Sequence, residues 1–486
     1  MPKFGQHESY DAVVIGSGPN GLSAAIVLQQ AGLSTLVIEA HPEPGGGTRT
    51  AELTLPGFLH DVCSTVHPLG VASPFFRTLD LPRHGVKWCE PPLALAHVLR
   101  DGSVSTLARS LSETAQGLGD DEQPYLDLMS PFVERSTELL YEILGPLRVP
   151  RAPLLLAKFG LLALGSLESF ARRSFSGASA QALLAGMGAH AMQPLSAPAT
   201  ASFGLVLALA GHVAGWPVAR GGSRAISDAL VQIFRLHGGE LTYEHAVERF
   251  TELPRAKAYL FDVTPRQLLH IAGHELPKSY RQRLHAFHYG PGVFKMDWAL
   301  DGPVPWRNPR CRQAATVHLS GTLADVAKSE AAVQRGHLSD RPFVIFVQPS
   351  LFDAERAPPG KHTAWAYCHV PLGSTQDAST LIEEQIEEFA PGFRELVLAR
   401  ATMNSEALER YNANYVGGDI NGGSALLSQL FTRPVASIDP YSTPNPRLFL
   451  CSSSTPPGGG VHGMCGYWAA RSALGSVFGK RAVTLV

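Results

Sequence analysis

Hydrophobic and polar positions fall into short, well-bounded blocks. Residues 11–15, Asp11-Ala12-Val13-Val14-Ile15, form a short apolar run of the kind that makes a parallel strand buried on both faces. Gly16-Ser17-Gly18-Pro19-Asn20-Gly21 follows directly, then a helical pattern over about residues 22–30, Gly32 as its C-cap, and a second strand over 35–38. Further on, Gly221-Gly222-Ser223 introduces a helix over 225–236, a Gly238-Gly239 turn, a strand-rich stretch over 240–250, and a strand over 256–263 that rejoins the first sheet. Four segments rich in aromatic and β-branched residues, 294–300, 314–319, 342–348 and 363–370, predict an antiparallel sheet. Near the end, a strand over 448–451 runs through Ser452-Ser453-Ser454 into Gly458-Gly459-Gly460-Val461-His462-Gly463-Met464, and a helical pattern covers 466–478.

Two apolar stretches carry almost no charge. Residues 174–219 contain no Asp, Glu, Lys or Arg, and 154–167 is apolar around Lys158 alone. Such helices are expected in the core, with a substrate tunnel or a peripheral membrane contact as the functional alternative. The nearest approach to a membrane span, 199–218, is interrupted by Gly204, Gly211, His212 and Gly215 and closed by Pro217, which predicts a buried or interfacial helix.

A chain of 486 residues is too long for one compact core, so two domains, or a cofactor domain with a large insertion, are expected. Lys plus Arg is 40 and Asp plus Glu is 42, a balance that offers no field to gather nucleic acid. Charged residues make up only 17% against 45% apolar, which suits a large core or a face that touches something apolar. The six cysteines show neither CxxC nor ligand spacing, so no disulfide framework and no metal site are expected. Residues 1–10 are polar and lack the apolar centre of a signal peptide, so the expected location is cytoplasmic. HExxH, GxSxG and P-loop patterns are absent, which leaves hydrolysis without support.

The first glycine turn carries specific chemistry. Gly16 permits the tight turn, Gly18 lets a pyrophosphate approach the backbone, and Gly21 lets the helix pack on the strand with its amino end, at Pro19 and Asn20, aimed at phosphate. Glu39, followed by Ala40, closes the second strand where a carboxylate accepts a ribose 2′-hydroxyl and disfavours a 2′-phosphate. This motif does not separate FAD from NAD. Gly45-Gly46-Gly47-Thr48-Arg49, just downstream, would set backbone amides and a cation beside a second part of an extended dinucleotide. The C-terminal strand, glycine turn and helix form another anion-seeking arrangement, suited to a flavin's ribityl chain and pyrimidine edge.

With these motifs in order, together with Pro56-Gly57-Phe58 followed by Asp61, the sequence resembles the phytoene desaturase-like branch of FAD-dependent amine-oxidase-type oxidoreductases over nearly its whole length. The resemblance implies an α/β fold: a glutathione reductase-like FAD-binding Rossmann domain with an inserted α+β substrate domain. The expected FAD-binding segments are 1–95, 216–270 and 430–486, and the substrate-binding segments 96–215 and 271–429. It places the fingerprint glycines on the pyrophosphate, Glu39 on the adenosine ribose, Val247 near adenine, and Val461 to Met464 on the isoalloxazine, with Ser453, Gly459 and Gly460 in the same segment. The implied activity is dehydrogenation or desaturation of a lipophilic, polyene-like substrate, with oxygen, a quinone or another carrier reoxidising the flavin. Redox-neutral isomerisation of a polyene is the alternative, and a non-enzymatic carrier of the GDP dissociation inhibitor kind is a remote one, because its fingerprint is usually degraded. Candidate proton-transfer groups are His67, in Ser64-Thr65-Val66-His67-Pro68, and His462 beside the flavin segment.

Overall fold

The computed structural model describes residues 8–485. Its main elements, in chain order, are β1 (Ser9–Ile15), α1 (Pro19–Gln30), β2 (Thr35–Ile38), β3 (Leu93–Val98), β4 (Val104–Ala108), α2 (Pro153–Ala163), α3 (Ala178–Gly188), α4 (Thr200–Ala214), α5 (Arg224–Leu236), β5 (Glu240–Thr242), β6 (Arg255–Phe261), β7 (Gly292–Leu300), β8 (Ala314–Leu319), α6 (Leu323–Gln334), β9 (Val344–Val347), β10 (His362–Val370), β11 (Val397–Met403), β12 (Leu448–Leu450) and α7 (Met464–Phe478).

The first sheet has the order β12-β6-β1-β2-β5, and every pair is parallel. β1 lies at its centre and is covered on both faces, so Val13, Val14 and Ile15 form a continuous apolar run rather than an alternating one. The strands come from three separated parts of the sequence, residues 9–38, 240–261 and 448–450, so both ends of the chain meet in one layer. β5 stops at Thr242, whereas strand character is expected to about residue 250. It is the edge strand, and just beyond it Glu244 takes a left-handed φ of 57° that breaks the extended path, while the Glu244 and His245 amides still donate to the His41 and Glu39 carbonyls.

The second sheet has seven strands in the order β11-β7-β10-β9-β8-β3-β4. The four expected strands are present as β7 to β10. β3, β4 and β11 extend the sheet beyond the sequence expectation, and the β3–β8 pair is parallel while the others are antiparallel. β3 crosses residue 95, the expected limit of the first cofactor segment, and belongs to the second sheet. β11 alternates half-buried and exposed positions, as an edge strand does, which weakens its apolar signal.

The charge-free helices divide into two kinds. α3 and most of α4 are buried, as expected. α2 is different: Leu154 and Leu161, seven residues apart on one face, are each 85% exposed, and Leu147, Val149 and Leu164 are exposed nearby. Arg151, Lys158, Arg172 and Arg173 are exposed around them. Among the described residues no single helix is long and apolar enough to cross a membrane. The helices Pro153–Ala163 and Leu167–Ser174 pass such a test only together, across a bend of 99°. All six cysteines are unpaired, and no group of residues that could hold a metal ion is found among the described residues.

One buried knot ties the two sheets. Asp61 accepts Thr50 Oγ1 at 2.7 Å, Ser223 N at 2.8 Å, Ser223 Oγ at 2.7 Å and Arg356 Nη1 at 2.8 Å. Arg356 also donates to Asp353 at 2.8 Å and to the Ala219 carbonyl at 3.0 Å. The sequence motifs at Asp61 and at Gly221-Gly222-Ser223 thus serve one joint. Gly222, at φ +118°, leaves room for Thr50 that a side chain would take. The Arg356 guanidinium and the hydroxyl and amide donors hold the Asp61 carboxyl down at about 2 despite its burial. A depressed carboxylate adds stability above the unfolded value near about 4 and loses it as pH falls toward the folded value. Asp61→Ala, which strands Arg356, is expected to cost about 3–5 kcal/mol at neutral pH, read from the urea midpoint, with a smaller difference from wild type below about pH 3. An unchanged midpoint at neutral pH would contradict this role.

Candidate dinucleotide and substrate site

A cavity of about 640 Å³ runs from the fingerprint turn to the second sheet. One end is built by the turn after β1 and by the end of β2. Gly16, Gly18, Pro19, Asn20, Glu39, Ala40, Gly46, Gly47, Arg49 and Val247 line it. Farther along come Cys63, Thr65 and Val66, then Ser452, Ser453, Gly459, Gly460 and Val461 from the C-terminal segment. The two glycine-rich segments, more than 400 residues apart in sequence, therefore face one space.

Of the remaining expected contacts, Gly21, Gly45, Thr48 and Met464 stand just behind this lining. Gly21 packs α1 on β1, and its amide donates to Asp262. Gly45 adopts φ +119° in the turn, and the Thr48 hydroxyl donates to its carbonyl at 2.7 Å. Met464 starts α7 and is fully buried. Ser452 and Ser454 serve structure: each hydroxyl donates to a backbone carbonyl at 2.7 Å, of Val263 and Gly422 respectively.

Glu39 is buried and well supplied with donors. Its carboxylate accepts Ser17 N at 2.9 Å, Ser17 Oγ at 2.5 Å, His41 N at 2.8 Å and Arg49 Nη2 at 3.1 Å. Arg49 is thus paired with the acid in the cavity lining; its Nε donates to the Glu43 carbonyl, and its guanidinium lies 5.8 Å from the Tyr411 ring centre. Four donors fix the orientation of this carboxylate.

The residues present fit an extended dinucleotide. Asn20 Oδ1, buried in the lining, has no hydrogen-bond partner among the described residues. α1, capped at Gly18, has no side-chain cap and no acid in its own first turn; its amino end faces the cavity, with the Gly21 amide taken by the Asp262 carboxyl. A Cβ on Gly46 would stand 3.1 Å from Gly18 Cα, so a side chain there would crowd the turn that a pyrophosphate must approach.

The other end of the cavity is a wall of the second sheet. Thr316 on β8, Ile345 and Val347 on β9, and Trp365 and Tyr367 on β10 line it, paired across strands as Thr316 with Val347, Ile345 with Tyr367 and Val347 with Trp365. The Trp365 and Tyr367 rings stack with centres 5.6 Å apart at 11°. Trp365 Nε1 donates to Thr65 Oγ1 at 2.7 Å, which fixes the indole. Beside these rings on the same face of the sheet, Lys295 and Asp297 of β7, paired with Tyr367 and Trp365 respectively, form a buried ion pair at 2.6 Å, with the Lys295 ammonium 5.2 Å from the Trp365 ring centre. His190, in the turn between α3 and α4, completes this end and meets His318 with Nε2 atoms 3.3 Å apart. Burial brings His190 down to about 3, so its imidazole is neutral.

His67 and His462 are not in the lining. His67 is buried at the start of the helix Pro68–Ala72, packed near Trp88, and neither ring nitrogen has a hydrogen-bond partner among the described residues. His462 is buried behind Val461 and accepts the Met464 amide on Nδ1 at 3.0 Å. Burial lowers both to about 4. Sequence reasoning did not single out Asp262, His190, Trp365 or Tyr367. A lone aspartate directly after a buried parallel strand was the available signal for Asp262; the others look like ordinary core until the sheet registers are known.

The NAD(P)-binding Rossmann-like domain family matches residues 14–80. The mouse (Mus musculus) protein named pyridine nucleotide-disulfide oxidoreductase domain-containing protein 2 is 28% identical over 95% of this chain and 92% of its own length. One of the subunits of limonene dehydrogenase from Castellaniella defragrans is 32% identical over 22% of this chain and 19% of its own. A solved putrescine oxidase with putrescine bound superposes with a TM-score of 0.62 at 17% identity, over 96% of this chain and 98% of that one.

Glu39→Gln removes the charge that pairs with Arg49 in the cavity lining. ADP, as a probe of this end alone, is expected to bind about tenfold more weakly to the variant, read by calorimetry at constant salt. Equal affinity would remove Glu39 from the site.

Proposed function

We propose, from the chain's place in the FAD-dependent amine-oxidase-type family, that it binds FAD along this cavity and dehydrogenates an apolar, polyene-like substrate held against the second sheet. The observation that carries the substrate class is the division of charge. The charged side chains in the lining, Glu39, Arg49, Glu248 and Asp262, belong to the turn and strand ends of the first sheet and its neighbouring loop. The sheet end is lined by Val66, His190, Thr316, Ile345, Val347, Trp365, Tyr367 and Ile420, with no Asp, Glu, Lys or Arg among them. A cationic amine would need a carboxylate there to offset its lost hydration, whereas an apolar chain needs only complementary surface.

Glu39 would hold the adenosine ribose, the amino end of α1 the pyrophosphate, and the Gly459-Gly460-Val461 segment the flavin end. Flavin, when bound, supplies the hydride acceptor. The protein supplies position and dryness: the stacked Trp365 and Tyr367 give a flat apolar wall, and the aliphatic residues beside them exclude water. The apolar identity also agrees with the partial likeness to a component of limonene dehydrogenase.

The direct test is anaerobic mixing of the flavin-loaded protein with a panel of polyenes, monoterpenes and alkylamines. Bleaching of the flavin's visible band by an apolar member, with a product short of two hydrogens, is expected. Reduction by amines alone contradicts the substrate class, and an apolar product of unchanged mass identifies an isomerase. The exposed leucines of α2 and the surrounding arginines and lysine support delivery of such a substrate from a membrane surface. Sedimentation with vesicles containing anionic lipid is expected to fall severalfold in a Leu154→Gln, Leu161→Gln double variant, and equal sedimentation of both proteins rules the contact out.

A further inference from the structure

The end of β6 sets a carboxyl group where the phosphates of a dinucleotide are expected. Asp262 lines the cavity, and its Oδ2 accepts the Gly21 amide at 2.9 Å. A Cβ on Gly18 would stand 2.7 Å from that oxygen, one on Gly21 2.9 Å from it, and one on Gly16 3.2 Å from Asp262 Cβ. Asp262 therefore lies against all three fingerprint glycines, its carboxyl against Gly18 and Gly21 at the amino end of α1 and its Cβ and main chain against Gly16. That helix has no side-chain cap and no acid in its own first turn, so Asp262 is the anion that serves it.

A diphosphate seeks the same place. Brought against an ionised Asp262, it would press like charges together in an enclosed groove that already holds Glu39. Arg49, the cation in the lining, is committed to Glu39. Like charges that close do not all stay ionised. A neutral carboxylic acid resolves the conflict: one oxygen keeps the Gly21 amide, and the other becomes a donor for a phosphate oxygen.

We propose that Asp262 takes up a proton when FAD binds and holds the diphosphate as a hydrogen-bond donor, so that FAD affinity depends on pH through this one carboxyl. The inference rests on the reading of the cavity as an FAD site. Enclosure already raises Asp262 to about 7, with the Gly21 and Gly18 amides acting to lower it and Glu39 to raise it. The other titratable groups near it are Cys451, after β12, and Cys465 on α7, both pushed up by burial and neutral across the range of interest. His41, His245 and His270 line the same cavity farther from the turn. Because binding raises Asp262 further, affinity is full at acidic pH and falls as pH rises through the value of the free protein.

The test uses full-length apoprotein and FAD itself. Fluorescence titration at constant ionic strength is expected to give a wild-type Kd that rises about tenfold or more between about pH 6 and about pH 8.5, and an Asp262→Asn Kd that changes by less than about twofold. Calorimetry of the wild type in two buffers of different ionisation enthalpy adds a measurement that needs no variant, and uptake of nearly one proton at about pH 8 is expected. A flat wild-type profile without proton uptake overturns the proposal, and so does a pH dependence that survives unchanged in Asp262→Asn, since the histidines then carry it. Failure of the wild type to bind FAD at any pH removes the FAD reading itself, an outcome distinct from tight binding that ignores pH.

Discussion

The groove depends on a backbone-to-backbone contact between the two ends of the chain. A Cβ at Gly466, in the first turn of α7, would fall inside the van der Waals surface of the Asn20 carbonyl oxygen, and one at Gly463 would meet the Ser23 hydroxyl and Phe76. α7 can therefore lie on α1 only because both positions lack side chains. That contact fixes where Gly459, Gly460 and Val461 stand relative to Gly16, Gly18 and Asn20. Move α7 outward by the width of a methyl group, and the two glycine-rich segments no longer face one space. Close approach of main chains is thus the condition for the site, and glycine is the means.

Once the groove exists, its two ends are set apart by electrostatics. The ends of parallel strands β1, β2 and β6 bring Glu39 and Asp262 beside Arg49 and the amino end of α1, a setting suited to phosphates and ribose. The second sheet offers the opposite: two stacked aromatic rings, aliphatic neighbours, and beside the rings Lys295 and Asp297 neutralising each other as a buried pair. The Asp61–Arg356 knot matters here because it joins the segment after the fingerprint to the second sheet and so holds these unlike ends in register. Polar and apolar recognition are then properties of one cavity rather than of two sites.

Much of the cofactor end was legible in the sequence because its signals are local. Strand, turn, helix, cap and acid occupy residues 11–39 in one continuous pattern, and each glycine has a steric duty that no other residue can perform. The four central strands of the second sheet were legible through their aromatic and β-branched density. β3, β4 and β11 were not, since a parallel β3–β8 pairing between distant segments and a half-exposed edge strand leave little local trace. The substrate end was hidden for a related reason. Trp365, Tyr367 and Ile345 differ from core residues only by facing a cavity, and that is a matter of cross-strand register. His67 and His462 drew notice through their neighbours in sequence, but the chain turns both side chains into packed protein behind the lining.

The central claim is that the joined glycine segments hold FAD. The visible absorbance spectrum of the purified protein, with mass identification of what heat releases from it, tests this most directly. A two-band flavin spectrum and free FAD in the supernatant are predicted. A colourless protein that added FAD does not reconstitute would contradict the account.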